Sequence, residues 1–198
     1  MQKNNKTFNL IIAGYGGQGV ITLAEIIAKS AVIQNYDVRQ VEQHGLAQRG
    51  GALSCHLRFG EKVYSPLVGR AGADLIISLD LLETLRACYW ANSKTQILTN
   101  SKFLSPHPFE PERISREKII ADIKKITKNL KLIDADQMIE KITKDTAMIN
   151  ILMLGFASAS GFLPIKKELI LKAVKERIRP IFIETNLKIF HLAFFRKI

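Results

Sequence analysis

Three groups of residues have the types and spacing to do chemistry. The first is Gly14-Tyr15-Gly16-Gly17-Gln18-Gly19. Gly14, Gly16 and Gly19 fit GxGxxG, in which glycines let the backbone approach a pyrophosphate and a following helix N-terminus stabilises its charge. Glu42, 23 residues beyond Gly19, stands near the place of a ribose-binding carboxylate. The second group is the run Glu42-Gln43-His44-Gly45-Leu46-Ala47-Gln48-Arg49-Gly50-Gly51. Arg49 has the planar fork that holds a carboxylate or a phosphate through two parallel hydrogen bonds, and the adjoining glycines allow a close backbone approach. The third is the cysteines, Cys55 and Cys88, far apart and in no CxxC pair. An iron–sulfur cluster usually takes four closely spaced thiolates, so these read as two free thiols, buried or semi-buried.

Two features pull the glycine loop away from dinucleotide binding. The fingerprint asks for neither the extra Gly17 nor the long polar Gln18. Glu42 also sits in a richer polar cluster than a ribose carboxylate needs. A hydrogen-bonded turn between strands, with Arg49 paired to an acid, remains open as the plain structural reading.

The elements that must position these groups alternate between strand and helix. Phe8–Ala13 reads as a strand and Val20–Ile33 as a helix, with the glycine turn between them. Asp37–Glu42 reads as a second strand. Leu53–Phe59 alternates as a half-buried strand should, Gly60-Glu61-Lys62 reads as a tight turn, and Val63-Tyr64-Ser65 as its returning hairpin partner. Leu75–Leu79 is a continuous apolar run expected to be a buried parallel strand. A helix is expected over 81–89, a strand over 96–100, and a loop over the proline-bearing segment 103–114. Ser115 should cap a helix running to about Leu130. A short strand at 132–134 and a short helix at 135–142 follow. A buried helix at 147–160 should be stopped by Gly161 and Pro164, and helices at 166–178 and 186–195 end the chain. The pattern implies a single three-layer α/β domain over 1–198, Rossmann-like, with a mainly parallel sheet and a β-hairpin.

Bulk composition narrows the function classes. The chain has 198 residues, is 47% hydrophobic and 24% charged, and carries a net charge of +11, most of it in residues 101–198. That surplus is mostly lysine interleaved with acids, with no aromatic-plus-basic motif of a nucleic-acid module, so no nucleic-acid partner is expected. No apolar run reaches the roughly 18 residues of a membrane span, and Phe8–Ala13 breaks into glycines too soon for a secretory leader. The expected location is the cytoplasm.

Taken together, the glycine loop, the HGLAQRGG run at 44–51 and Tyr64-Ser65-Pro66-Leu67 resemble the gamma-type subunit of 2-oxoacid:ferredoxin oxidoreductases. Gly72-Ala73-Asp74, Glu83 with Arg86, and Asn150-Ile151-Leu152-Met153-Leu154-Gly155 fit the same pattern. Leu163-Pro164-Ile165 and Asn186–Phe190 are similar to closing segments of the indolepyruvate type. The resemblance spans about residues 8–195. It implies a subunit of a hetero-oligomer that decarboxylates a 2-oxoacid, such as an aryl pyruvate, transfers the acyl group to coenzyme A and passes electrons to ferredoxin. Thiamine diphosphate, magnesium and [4Fe-4S] clusters are then expected on a large partner subunit. This sequence agrees, having neither the cysteine spacing nor a GDG…N motif. No catalytic residue is expected on this chain. By motif position, the residues expected to meet ligand or partner are Gly14, Gly16, Gly17, Gln18, Gly19, Glu42, His44, Gln48, Arg49, Gly50, Gly51 and Ser65. Tyr15 departs from the family pattern, which more often has a small residue there, and the lysine surplus of the second half is unexplained by it. Two other classes stay open on the residues alone: a free-standing NAD(P)- or FAD-binding oxidoreductase, and a basic adaptor that catalyses nothing.

Overall fold

The computed structural model describes residues 7–45, 51–103, 115–140, 142 and 148–196. The order is β1 (Phe8–Tyr15), α1 (Val20–Ile33), β2 (Asp37–His44), β3 (Ala52–Gly60), β4 (Leu75–Ser78), α2 (Leu81–Ala87) and a 3₁₀ turn (Cys88–Trp90). Then follow β5 (Gln96–Asn100), α3 (Arg116–Ile126), β6 (Leu130–Ile133), α4 (Ala135–Glu140), α5 (Ile149–Ala159), α6 (Lys167–Arg177) and α7 (Pro180–Leu192).

The strands form one sheet in the order β2-β3-β1-β4-β5-β6. β1, β4, β5 and β6 are parallel, while β3 is antiparallel to both β1 and β2. Alternation along β1 explains the layers: Leu10 and Ile12 enter one core, Ile11 and Ala13 the other. The first core also holds Leu23 and Ile27 of α1, Phe156 of α5, Ile170 of α6 and Phe190 of α7. The second holds Leu81 and Leu82 of α2 and Ile119 and Ile123 of α3. Helices therefore cover both faces of the sheet, as expected. α1 and α2 leave the adjacent strands β1 and β4 towards opposite faces, so the strand order reverses there.

Glycine at 155 allows α5 and α7 to lie close, since a Cβ there would meet the Phe190 carbonyl oxygen at 2.4 Å. Gly161, at φ 67°, stops α5. Its N–H bonds the Ser158 carbonyl and the Phe162 N–H bonds that of Ala157, satisfying two carbonyls at the helix end.

Three expectations need correcting. Val63–Ser65 is not a strand: β3 already pairs with β1 on one edge and β2 on the other, so no edge is free for a returning strand. The hairpin is β2–β3 instead, and Val63 N–H bonds the Asp37 carboxylate at 2.9 Å. The helix capped by Ser115 ends at Ile126, not near Leu130. Thr127 is extended, with its hydroxyl donating to the Thr95 carbonyl at 3.0 Å, and Leu130 opens β6. The last helix begins at Pro180, at its first helical position, rather than at Asn186. Of the expected 103–114 loop, residues 104–114 lie outside the described residues.

Candidate functional site

β1 runs two residues further than its apolar run, so Gly14 and Tyr15 are still paired, with Leu53 and Ala52 of β3. The glycine turn then closes on itself. The Tyr15 N–H donates to Gln18 Oε1 at 2.7 Å, the Gly16 N–H to the Gly51 carbonyl at 3.0 Å, and the Gln18 N–H to the Tyr15 carbonyl at 3.2 Å. Gln18 Nε2 reaches the Leu79 carbonyl at 3.4 Å, across the β1–β4 crevice where ligands of open α/β sheets usually bind. A Cβ on Gly14 would meet the same Gln18 Oε1 at 2.7 Å. The Tyr15 and Gln18 amides are therefore used inside the loop, the Gly16 amide is used by Gly51, and the Gln18 carboxamide lies close against Gly14.

Gly17 and Gly19 have φ of 96° and 81°, which explains glycine at both. Gly19 caps α1, and a Cβ there would meet Asn150 Nδ2 at 2.3 Å. Asn150 donates to the Gly19 carbonyl at 3.1 Å, so the start of α5 is bonded to the start of α1.

Glu42 is exposed near the end of β2 and does not meet the glycine loop. It shares a row with Cys55 of β3 and Ile12 of β1, with β3 lying between. Two strand spacings, about 10 Å, separate its backbone from β1, whereas a ribose carboxylate belongs on the neighbouring strand. His44 ends β2, exposed, beside a cleft. Gly51 does meet the glycine loop, through its carbonyl. Ser65 lies towards the other end of β3: its carbonyl accepts from Arg58 Nη1 at 2.9 Å, and Arg58 stands six residues, about 20 Å, along the strand from Ala52. Gln48, Arg49 and Gly50 lie outside the described residues.

The cleft beside His44, about 260 Å³, is lined by Ala13, Gln43, Ser54, Glu83, Arg86 and Trp90 among others. It opens between the β2–β3 hairpin and α2. The local sequence builds its inner wall: the Asp80 carboxylate caps α2, accepting from the Leu82 and Glu83 N–H groups at 2.7 and 3.1 Å. That turn buries Glu83, only 4% exposed, and aims it at Arg86, which donates to Glu83 Oε1. Burial raises the Glu83 pKa, against the opposing effects of Arg86 and of a hydrogen bond with Tyr15. Tyr15 is pushed up to about 12 by its own burial and by the Asp80 and Glu83 carboxylates. Tyr15 thus turns into the α2 side rather than across the glycine loop. Arg86 keeps an outer, half-exposed edge whose remaining N–H groups suit an anion. Glu83 and Arg86 are legible as an i,i+3 pair, and Asp80 and Trp90 flank the same helix, but Tyr15 comes from the end of β1 and carries no signal joint with them.

Neither cysteine suits an iron–sulfur cluster. Cys55 and Cys88 are buried in the two different cores, on opposite sides of the sheet. Burial pushes their thiols up to about 12 and about 11, disfavouring the thiolate that iron requires. Among the described residues, no group of three or more His, Cys, Asp or Glu could hold a metal ion. No helix among them is long and apolar enough to cross a membrane.

Comparison with known proteins is decisive about kinship. The family model described as pyruvate ferredoxin/flavodoxin oxidoreductase matches residues 9–195. The chain belongs to this family. The indolepyruvate oxidoreductase subunit IorB of Archaeoglobus fulgidus is 31% identical over 186 residues, covering 91% of this chain and 90% of that protein. The common gamma subunit of the pyruvate/ketoisovalerate oxidoreductases of Pyrococcus abyssi is 27% identical, covering 91% and 92%. Two solved structures share the fold. The keto/oxoacid ferredoxin oxidoreductase gamma subunit of Geobacter sulfurreducens has a TM-score of 0.68 at 20% identity, with 94% and 96% of the two chains covered. The 2-oxoglutarate:ferredoxin oxidoreductase of Magnetococcus marinus gives 0.71 at 16% identity, with 96% of this chain matching 31% of that one. Family members matched end to end are thus subunits of oxidoreductases acting on 2-oxoacids, and the expected kinship and α/β architecture both hold.

Proposed function

We propose that this chain is the small subunit of an indolepyruvate-type 2-oxoacid:ferredoxin oxidoreductase and oxidises no 2-oxoacid alone. The observation that carries this reading is the full-length match to the indolepyruvate oxidoreductase subunit of Archaeoglobus fulgidus, over nine-tenths of both chains. The enzyme takes an aryl pyruvate and coenzyme A, with ferredoxin as electron acceptor reached through the complex. Thiamine diphosphate, magnesium and [4Fe-4S] clusters belong to a large partner subunit. The buried, separated thiols of Cys55 and Cys88 support that division.

On this chain, the glycine loop is a packing device that fixes β1, α1, the hairpin end and α5 relative to one another. The ligand-facing residues are those around the cleft, His44 and Arg86 foremost. Arg49 joins them by motif, holding a carboxylate or phosphate at the shared site.

The test is dye reduction with indolepyruvate, coenzyme A, magnesium and thiamine diphosphate, using the chain alone and then co-purified with its large subunit. Turnover is expected only from the pair, and turnover by the chain alone would overturn the reading. In the assembled enzyme, Arg49→Ala should lower kcat/KM about 10- to 100-fold, the loss of one charge-assisted hydrogen bond. Arg49→Lys should recover part of that loss.

A further inference from the structure

The connection from β3 to β4, residues 61–74, contains no strand or helix. Irregular loops longer than about 12 residues are uncommon in compact domains and usually functional. This one is firmly held. The Val68 N–H donates to His56 Nδ1 at 3.0 Å, Arg58 Nη1 donates to the Ser65 carbonyl, and the Ala73 N–H donates to the Trp90 carbonyl at 2.9 Å. Val63 and Val68 are buried beneath it. His56 is itself buried. Because its Nδ1 accepts a backbone N–H, its proton sits on Nε2, which has no hydrogen-bond partner among the described residues. Its ring stands edge-on to Trp90 at 4.7 Å.

The anchored loop presents large side chains to solvent. Tyr64 is 83% exposed, Leu67 51%, and Tyr89, whose carbonyl accepts the Ala71 N–H, 59%. Cations stand over both rings: Lys62 Nζ lies 5.1 Å from the Tyr64 centroid and Arg70 5.7 Å from that of Tyr89. Exposed tyrosines with arginine are the composition of protein interfaces and their energetic centres. Within residues 61–74 the acids are Glu61 and Asp74; Asp74 accepts from the Asn9 N–H and the neighbouring Glu83 pairs with Arg86, so Glu61 is the exposed acid of this loop beside Lys62 and Arg70. Trp90 packs on Tyr89 at 5.5 Å and also lines the cleft beside His44, so the face and the cleft are continuous.

We propose that Tyr64, Leu67 and Tyr89, flanked by Lys62 and Arg70, form the docking face for an acidic-rimmed apolar surface on the large subunit of the same oxidoreductase. The inference rests on the subunit reading above. The large subunit seated here overhangs the cleft and closes it. His56 and Arg58 are positioning residues that hold the loop in its docking shape.

The chain is co-expressed with its large subunit and the complex isolated. Hydroxyl-radical labelling is then compared between chain and complex, and affinities are measured for variants. Tyr64, Leu67 and Tyr89 should lose most of their labelling in the complex. Tyr64→Ser with Tyr89→Ser should weaken assembly at least about tenfold, as should Lys62→Glu with Arg70→Glu, without changing Tm. His56→Asn, which keeps an acceptor for Val68, should assemble better than His56→Ala. Ile181→Ser with Phe182→Ser, on the exposed apolar start of α7, should assemble as wild type. A complex in which the two tyrosines stay fully labelled and their serine variants bind normally overturns the face while leaving the subunit reading intact. So does selective loss with the α7 variant. Unchanged binding of the charge-reversed variant overturns the acidic rim. No complex at all, even for wild type, overturns both readings.

Discussion

The glycine loop and the 61–74 loop lie at opposite ends of β3, one bonded to Gly51 before its first residue, the other to Arg58 near its last. The glycine loop turns its polar groups inward: the Tyr15, Gly16 and Gln18 amides find partners within the chain. The 61–74 loop spends its backbone on anchoring and turns two of its large side chains outward, Tyr64 and Leu67. The glycine loop thus serves as a joint within the fold, while the 61–74 loop, which contains the Tyr64-Ser65-Pro66-Leu67 segment, carries an open surface. Glycines in a GxGxxG pattern record close approach, and what approaches here is Gln18 and Asn150.

The sharpest break of that contrast is Gly19→Ala. A Cβ there meets Asn150 at 2.3 Å and the residue must hold a φ of 81°. We expect a loss of about 2–3 kcal/mol in denaturant unfolding, strain and overpacking together. Adding Asn150→Ala should restore the clash component only; full recovery would mean the φ value carries no strain. Gln18→Ala comes next, at about 1–2 kcal/mol, because the Tyr15 N–H loses its acceptor. Wild type should bind NAD, NADP and FAD more weakly than about 10 μM in calorimetry. Tighter binding would show that the loop opens for nucleotides after all.

A smaller effect should be visible against pH. Burial holds His56 neutral, with its pKa lowered from the ordinary range. The unfolded chain takes up a proton that the native chain refuses. Stability should then be complete above the unfolded value of about 6.5 and decline as pH falls below it towards the lowered folded value. His56→Asn keeps the acceptor without the titration and should flatten that decline in urea midpoints taken across the range. An identical slope in the variant would remove His56 from the pH dependence. The smallest effect is expected on the open side: Tyr64→Ser should change stability by less than about 0.5 kcal/mol. A larger loss would show that Tyr64 packs rather than waits.

Much of the fold was legible where periodicity is strong and local. Helix α1 spans Val20–Ile33 and strand β5 Gln96–Asn100, as the apolar spacing requires. Ser115 caps its helix by accepting from the Lys118 N–H. The returning strand at 63–65 failed for a nonlocal reason, since only the full sheet reveals that both edges of β3 are taken. Pro180 reads locally as a break yet starts a helix, because its missing N–H costs nothing at the first position. The candidate site was legible only in pieces. His44 is at the cleft and Gly51 at the glycine loop, but Glu42 and Ser65 stand away from that loop. The group of Tyr15, Asp80 and Glu83 exists only once the end of β1 meets the start of α2.

The bond between Gly19 and Asn150 spans 131 positions of chain. During synthesis the first β-strand and helix emerge long before residue 150 leaves the ribosome. Until then the turn between them lacks its distant clamp, and the motif that looks most like an early, self-sufficient nucleus is completed among the last. Contacts this remote in sequence slow the search for the native state. A chain cut short before α5 should accordingly display its glycine turn unfastened, with an N-terminal half that stays open to proteolysis where the whole protein resists it.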